Sequence, residues 1–285
     1  VESVHFLVTY RCSRRCPHCF VYGSPDAPGE MTGAQVREYL RACVELGIRS
    51  VFFEGGEAFL LYDRLADWVE TATAMGIKAG ALTNGFWAER GRKAAGMLAR
   101  LKDAGLASLM ISTDEYHGGA EESRRARVAE AAARAVGIPA TVAVTGIDGV
   151  RFRGRAAGRL ARQMPQRSPG EMTCCPYERL DRPGRVHVDA FGYVHLCQGL
   201  AVGRAGSGDE LRRLIRDYRP EEHPIAGPLL RGGPLELAKV YGLEVAAGYA
   251  DACQMCYLSR RALRAGFPQF LGPEHVYGEG EPEGG

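Results

Sequence analysis

Cys12, Cys16 and Cys19 fall within eight residues, spaced Cys-x3-Cys-x2-Cys directly after an apolar, aromatic and β-branched run at residues 5–10. Three thiolates this close cannot all face a packed core. They can wrap one face of an iron–sulfur cube and leave its fourth iron as an open binding position. A zinc knuckle would need a fourth nearby cysteine or histidine, and His18, between two of the cysteines, is poorly placed to join them. A second set, Cys175, Cys197, Cys253 and Cys256, supplies four thiolates, enough to close a cluster completely or to fill a structural zinc site. Cys174 competes with Cys175 for one of these places. Neighbours on an extended chain point to opposite sides, and Cys175, followed by Pro176 and nearer the next strand pair, is the preferred ligand. Cys43, on the apolar face of a helix, reads as core.

These thiols need elements to hold them. Residues 5–10, 50–54, 78–83, 107–113 and 141–145 are short apolar runs that read as strands, and residues 60–75, 88–104 and 121–136 have helical spacing. A further helix opens on the capping-box pair Thr32 and Gln35, carries Val36, Leu40, Cys43 and Val44 at helical spacing, and stops at Gly47. Strand followed by helix, four times over, implies parallel strands with right-handed crossovers, and so a full or partial barrel with function at its strand carboxyl ends. The first interval is longer because it also holds the cysteine loop. Residues 185–188 and 193–196 flank Asp189-Ala190-Phe191-Gly192 as a β-hairpin. Residues 211–218 read as a short amphipathic stretch, 223–234 as a proline- and glycine-rich loop, 234–241 as a helix and 278–285 as a frayed tail. Arg151, Arg153, Arg155 and Arg159 lie in a segment with no clean apolar face; they read as a solvated face, with substrate-carboxylate binding as the sharper alternative.

Composition narrows the classes. The 285 residues are 46% hydrophobic and 25% charged, which excludes disorder, and 36 basic against 34 acidic side chains leave no field that would argue for nucleic acid or an anionic membrane. No run is long and apolar enough to cross a membrane, and the first ten residues lack a signal-peptide pattern, so a cytoplasmic protein is expected. Nine cysteines in a reducing compartment then point to metal or cluster ligation rather than disulfides.

The three-cysteine spacing after the first strand resembles the signature of the radical S-adenosylmethionine (radical SAM) superfamily. The resemblance implies a partial (β/α)6 TIM-like barrel, a 4Fe-4S cluster on Cys12, Cys16 and Cys19, and S-adenosylmethionine chelated at the open iron, cleaved by one electron to a 5′-deoxyadenosyl radical. Gly55-Gly56-Glu57, at the end of the second strand, is similar to the family element that receives the cosubstrate ammonium group. The glycines let a ligand approach the backbone, and the carboxylate suits a cation. Family members often have proline where this chain has Ala58. Thr83 and Asn84, after the third strand, and Ser112 and Asp114, after the fourth, resemble residues that hold the ribose and carboxylate, and turn or capping roles compete for the first pair. The adenine motif of the fifth strand is not plain in residues 142–148; His18 stands where relatives carry an aromatic residue over the adenine. Cys175, Cys197, Cys253 and Cys256 resemble the shortened auxiliary-cluster appendix called the twitch domain, since the longer SPASM form needs cysteines after Cys256 and the chain has none.

The expected organisation is a barrel over residues 1–168, a small α+β auxiliary domain over 169–265, and a tail over 266–285. Tyr116 and His117, at the barrel mouth, are candidates for acid–base chemistry. Tyr22 and Trp87 are candidate pocket walls, and His187 and His195, on the hairpin, could hydrogen-bond cluster sulfur. The expected function is hydrogen abstraction completed as a net oxidation through an auxiliary 4Fe-4S cluster. The leading substrate class is a peptide or protein side chain, and oxidation or rearrangement of a small metabolite is the alternative. A non-enzymatic metal-binding module is the remaining class. An electron donor such as flavodoxin or ferredoxin is the expected partner.

Overall fold

The computed structural model describes residues 1–278. Its first half alternates as expected: β1 (Ser3–Thr9), α1 (Gly33–Glu45), β2 (Ser50–Gly55), α2 (Tyr62–Ala74), β3 (Lys78–Thr83), α3 (Gly91–Asp103), β4 (Leu106–Ser112), α4 (Ala120–Ala135) and β5 (Ala140–Ala143). Thr32 caps α1, and its side chain and that of Gln35 bond each other's backbone reciprocally, so the capping box is complete. The five strands are parallel neighbours in chain order. Alternation along each strand divides its residues between two faces. Val4, Phe6, Val8, Val51, Phe53, Ala79 and Ala81 pack under the helices with Leu40, Leu65, Val69 and Leu98, all fully buried. The residues between them, including His5, Phe52, Glu54, Leu82 and Met110, face the barrel interior and line a cavity.

The second half contributes α5 (Arg155–Arg159), β6 (Arg185–Asp189), β7 (Tyr193–Cys197), β8 (Leu200–Arg204), α6 (Gly208–Arg216), α7 (Ala226–Val240) and α8 (Ala252–Leu263). β6 and β7 form the expected hairpin, with Gly192 in its turn, and β8 adds a third antiparallel strand. β6 also pairs with β1 in parallel, placing His5 opposite His187. The sheet therefore has six parallel strands, the sixth supplied by the hairpin on the far side of β1, and is an open, partial TIM-like barrel in the order β5-β4-β3-β2-β1-β6-β7-β8.

Three expectations change. Residues 223–234, read as a loop, include the first part of α7, which breaks at Gly232-Gly233 before Pro234 starts its second part. Residues 266–278, read as tail, are packed: Leu271 pairs with Leu200, and fully buried Tyr277 donates its hydroxyl to the Gly199 carbonyl at 2.6 Å. The frayed part, residues 279–285, lies outside the described residues. Arg153 and Arg155 are buried rather than solvated, at 5% and 2% exposure.

Candidate functional site

The cysteine loop leaves β1 and turns back over the strand carboxyl ends. Its path requires the two glycines that follow: a Cβ on Gly55 would lie 2.2 Å from the Thr9 carbonyl oxygen, and one on Gly56 would lie 2.4 Å from those of Tyr10 and Arg11. The backbone of Gly56 donates to Thr9 and that of Glu57 to Arg11, so the loop is stitched to the end of β2. Cys12, Cys16 and Cys19 then line one cavity of about 170 Å³ with Gly55, Gly56, Thr83, Asn84, Ser112, His18 and His117. Burial first, then Glu57 for Cys12 and Cys19 for Cys16, pushes both thiols up to about 12.

Glu57 does not point into this cavity. Its carboxylate accepts from the Phe59 backbone at 3.0 Å, the Thr83 hydroxyl at 2.9 Å and the Asn84 backbone at 2.7 Å. It is 1% exposed, and burial raises its pKa to about 7 against the pull of those donors. It braces the loop after β3, and the backbone of Gly55-Gly56 faces the cavity. Thr83 is similarly occupied, accepting from the Trp87 indole at 2.9 Å and the Gly85 backbone. Asn84 carries its side-chain amide 3.5 Å from the Cys12 sulfur and 3.2 Å from the Ser13 hydroxyl. Trp87 stacks on Phe59, and Tyr22 packs with the C-terminal core; neither lines the cavity.

At the end of β4, Asp114 lies 2.8 Å from His117 Nδ1 and 3.6 Å from His18 Nε2, and accepts from the Tyr116 backbone. Burial would raise its pKa, but His117 and His18 hold it below the ordinary carboxylate range. Burial, then His117, lowers His18 to about 4. His117 lines the cavity; Tyr116 does not, and packs instead by Val150 and Phe152.

A larger cavity of about 440 Å³ opens beside the first and shares His18, Phe20, Glu54, Leu82, Ser112 and His117 with it. Its floor holds a group the sequence reading missed. Glu54 lies 2.6 Å from His187 Nδ1 and 3.1 Å from His5 Nδ1, joining three adjacent strands. Burial would raise the Glu54 pKa, but His187 and His5 bring it below the ordinary range. A charged residue closing the apolar run Val51-Phe52-Phe53 was the available signal. His187 therefore belongs to the barrel interior, and His195, fully buried, lies 3.1 Å from Asp189; neither contacts a cysteine sulfur.

The second thiol group is assembled from three segments. Cys175, Cys197, Cys253 and Cys256 line one further cavity with Glu178, Arg153 and Arg260, while Cys174 is exposed. Among the described residues, no three cysteine sulfurs lie mutually within 4.8 Å. One zinc ion with bonds of about 2.3 Å would draw its sulfurs to roughly 3.8 Å apart. Four convergent thiols match the ligand count of an iron–sulfur cube as well as that of such an ion. Arg153 donates to the Cys197 sulfur at 2.6 Å and also lines the larger cavity, so its guanidinium forms a wall between the two spaces. Gly154, with φ of +59°, lets that segment lie on the cysteine loop: a Cβ there would meet the Cys19 carbonyl oxygen at 2.5 Å.

An open parallel barrel with thiols gathered over its strand carboxyl ends defines the class as an α/β-barrel enzyme scaffold. Residues 6–152, just over half of the chain, match the Radical SAM superfamily, and the chain belongs to that superfamily. The family implies a 4Fe-4S cluster and S-adenosylmethionine. Over 107 residues the chain is 37% identical to GTP 3′,8-cyclase of Synechococcus elongatus, covering 36% of this chain and 31% of that protein. Over 154 residues it is 32% identical to PqqA peptide cyclase of Xanthomonas axonopodis pv. citri, covering 49% and 38%. The match therefore spans about a third of the length of these curated relatives. A solved structure of anSMEcpe with bound AdoMet aligns at a TM-score of 0.52 and 12% identity, over 93% of this chain and 96% of that one, a likeness of fold. Among the described residues, no helix is long and apolar enough to cross a membrane.

Proposed function

We propose that this radical SAM enzyme performs a net two-electron oxidation of a substrate held in the 440 Å³ cavity, with a peptide or protein side chain as the leading substrate class. One observation carries the reading: this cavity shares walls with both thiol groups, through His18, Glu54, Ser112 and His117 on one side and Arg153 on the other. Cys12, Cys16 and Cys19 would hold the cluster that cleaves S-adenosylmethionine, and Cys175, Cys197, Cys253 and Cys256 the auxiliary one. When bound, and given one electron by a donor of the flavodoxin or ferredoxin class, these groups would supply the radical that removes a hydrogen atom from substrate and an acceptor that returns the electron left behind to such a carrier.

The chain's own residues supply the rest. The Gly55-Gly56 backbone and Asn84 offer polar groups to S-adenosylmethionine, and Ser112 lies between its cavity and that of the substrate. The proton lost by the oxidised substrate falls to His187. Donation from its Nδ1 to Glu54 would fix the tautomer and make Nε2 the acceptor, where it faces the Gln198 side-chain amide at 3.4 Å. Burial lowers the His187 pKa against the pull of Glu54. The name of PqqA peptide cyclase supports a peptide substrate. That of GTP 3′,8-cyclase favours the second reading, a small metabolite.

Anaerobic reconstitution tests the proposal. The full chain should bind about eight irons and, with dithionite, convert S-adenosylmethionine to 5′-deoxyadenosine. A fully loaded protein that forms no deoxyadenosine would refute it. Stimulation of deoxyadenosine formation by a peptide rather than by nucleotides would separate the two substrate classes.

A further inference from the structure

Two arginines are buried against the four-thiol cavity. Arg153 is 5% exposed and Arg260 is 1% exposed. Arg153 Nη1 donates to the Cys197 sulfur at 2.6 Å. Arg260 stands one helical turn after Cys256 on the same face of α8, and its Nη1 donates to the Gln198 carbonyl at 3.1 Å. The Nε atoms of both are buried without a hydrogen-bond partner among the described residues.

Burying a guanidinium costs several kcal/mol unless an anion offsets it. Four neutral thiols would not do so, and Glu178, which also lines the cavity, is already paired with Arg151 at 3.0 Å. Four thiolates around an iron–sulfur cube would, because the assembly is a net anion and becomes more negative on reduction. The three-thiol site is built differently: the Asn84 amide approaches Cys12 there, and the neighbouring cation, Arg14, donates to the His117 carbonyl and to Glu122 rather than to a cysteine sulfur. Charge near a cluster and hydrogen bonds to its sulfurs are the levers that set its potential.

We infer that Arg153 and Arg260 raise the reduction potential of the cluster held by Cys175, Cys197, Cys253 and Cys256, making it the acceptor for the substrate's electron. Arg153, which touches both the substrate cavity and Cys197, is the contact through which the two spaces meet. This inference rests on the proposed ligation by those four cysteines.

The test uses the full chain carrying Cys12→Ala, Cys16→Ala and Cys19→Ala, reconstituted anaerobically so that any remaining signal belongs to the auxiliary site. Its midpoint potential is read by electron paramagnetic resonance during reductive titration. Arg153→Gln and Arg260→Gln should each lower the reduced-to-oxidised ratio at a fixed poise about tenfold, a shift of about 59 mV for a one-electron couple. Arg153→Lys, which keeps the charge and loses the planar fork, should shift it less in the same direction. Arg159→Gln, which removes an exposed charge, should leave it unchanged. Unaltered potentials in Arg153→Gln and Arg260→Gln would overturn the inference. Loss of the cluster from all of the Arg153 and Arg260 variants would also overturn it, since the arginines would then hold the cluster rather than tune it. An absence of any cluster in the parent triple-alanine protein would instead refute the ligation itself.

Discussion

The two thiol groups differ in how they are assembled and in what surrounds them. Cys12, Cys16 and Cys19 lie on one loop after β1, beside a shared cavity that continues toward the barrel interior. Cys175, Cys197, Cys253 and Cys256 come from a loop, the end of β7 and the first turns of α8, and two buried guanidinium groups close around them. A site with three thiols and an adjoining space can offer a coordination position to a cosubstrate. One with four thiols and fixed cations is suited to storing an electron. On the proposed ligation, ligand number and local charge, not the thiols themselves, would divide the labour.

The strongest way to break this division is to remove one closing thiol. Cys253→Ala should reduce bound iron from about eight to about four per chain while 5′-deoxyadenosine formation persists. Loss of both together, read by iron analysis and chromatography, would mean that the two groups are not independent. The next largest effect is expected at Glu57. Alanine there strands the buried Thr83 hydroxyl and the Phe59 and Asn84 amides, and should cost about 3 to 5 kcal/mol in denaturant unfolding, whereas Glu57→Gln should cost less.

A smaller, pH-dependent effect is expected from Glu54. Its folded pKa is below its unfolded one, so its contribution to stability is complete above the usual carboxylate range, near pH 4.3, and is lost on acidification below it. His187, whose folded pKa is also depressed by burial, adds a loss as pH falls through the ordinary histidine range near 6.5. Glu54→Gln should flatten the acid side of the stability profile; an unchanged slope between about pH 5 and pH 3 would count against the strand-joining role. The smallest effect is expected at Tyr116, which lines neither cavity. Tyr116→Phe should leave deoxyadenosine formation within about twofold, and a tenfold loss would return it to the catalytic candidates.

The contrast between the two sites also governs what was legible in the sequence. The first is local: a strand, three cysteines and two glycines succeed one another, and β1 to β5 announce themselves through apolar runs separated by helical periods. The second depends on pairing across the chain. Residues 185–189 look like half of a hairpin, which they are, but nothing local says that they also pair with β1 and so carry His187 opposite His5. β8 is short and contains Gly203, and α8 is a helix of only 12 residues. The early part of α7 was hidden by its proline and glycines. Arg153 and Arg155 read as solvent-facing because arginine usually is, and only tertiary packing places them under cover. Glu57 was legible as part of the Gly-Gly-Glu element, but its bonds to the loop after β3 were not, because they join residues 26 and 27 positions apart.

The central claim is that one thiol group leaves an open position for S-adenosylmethionine and the other does not. The direct measurement is electron paramagnetic resonance of the reduced Cys12→Ala, Cys16→Ala, Cys19→Ala protein, with and without S-adenosylmethionine, alongside its iron content. The account predicts that about four irons remain and that their spectrum is unchanged by S-adenosylmethionine, while the wild-type spectrum responds. A variant that holds no iron, or whose remaining cluster responds to S-adenosylmethionine, would contradict it.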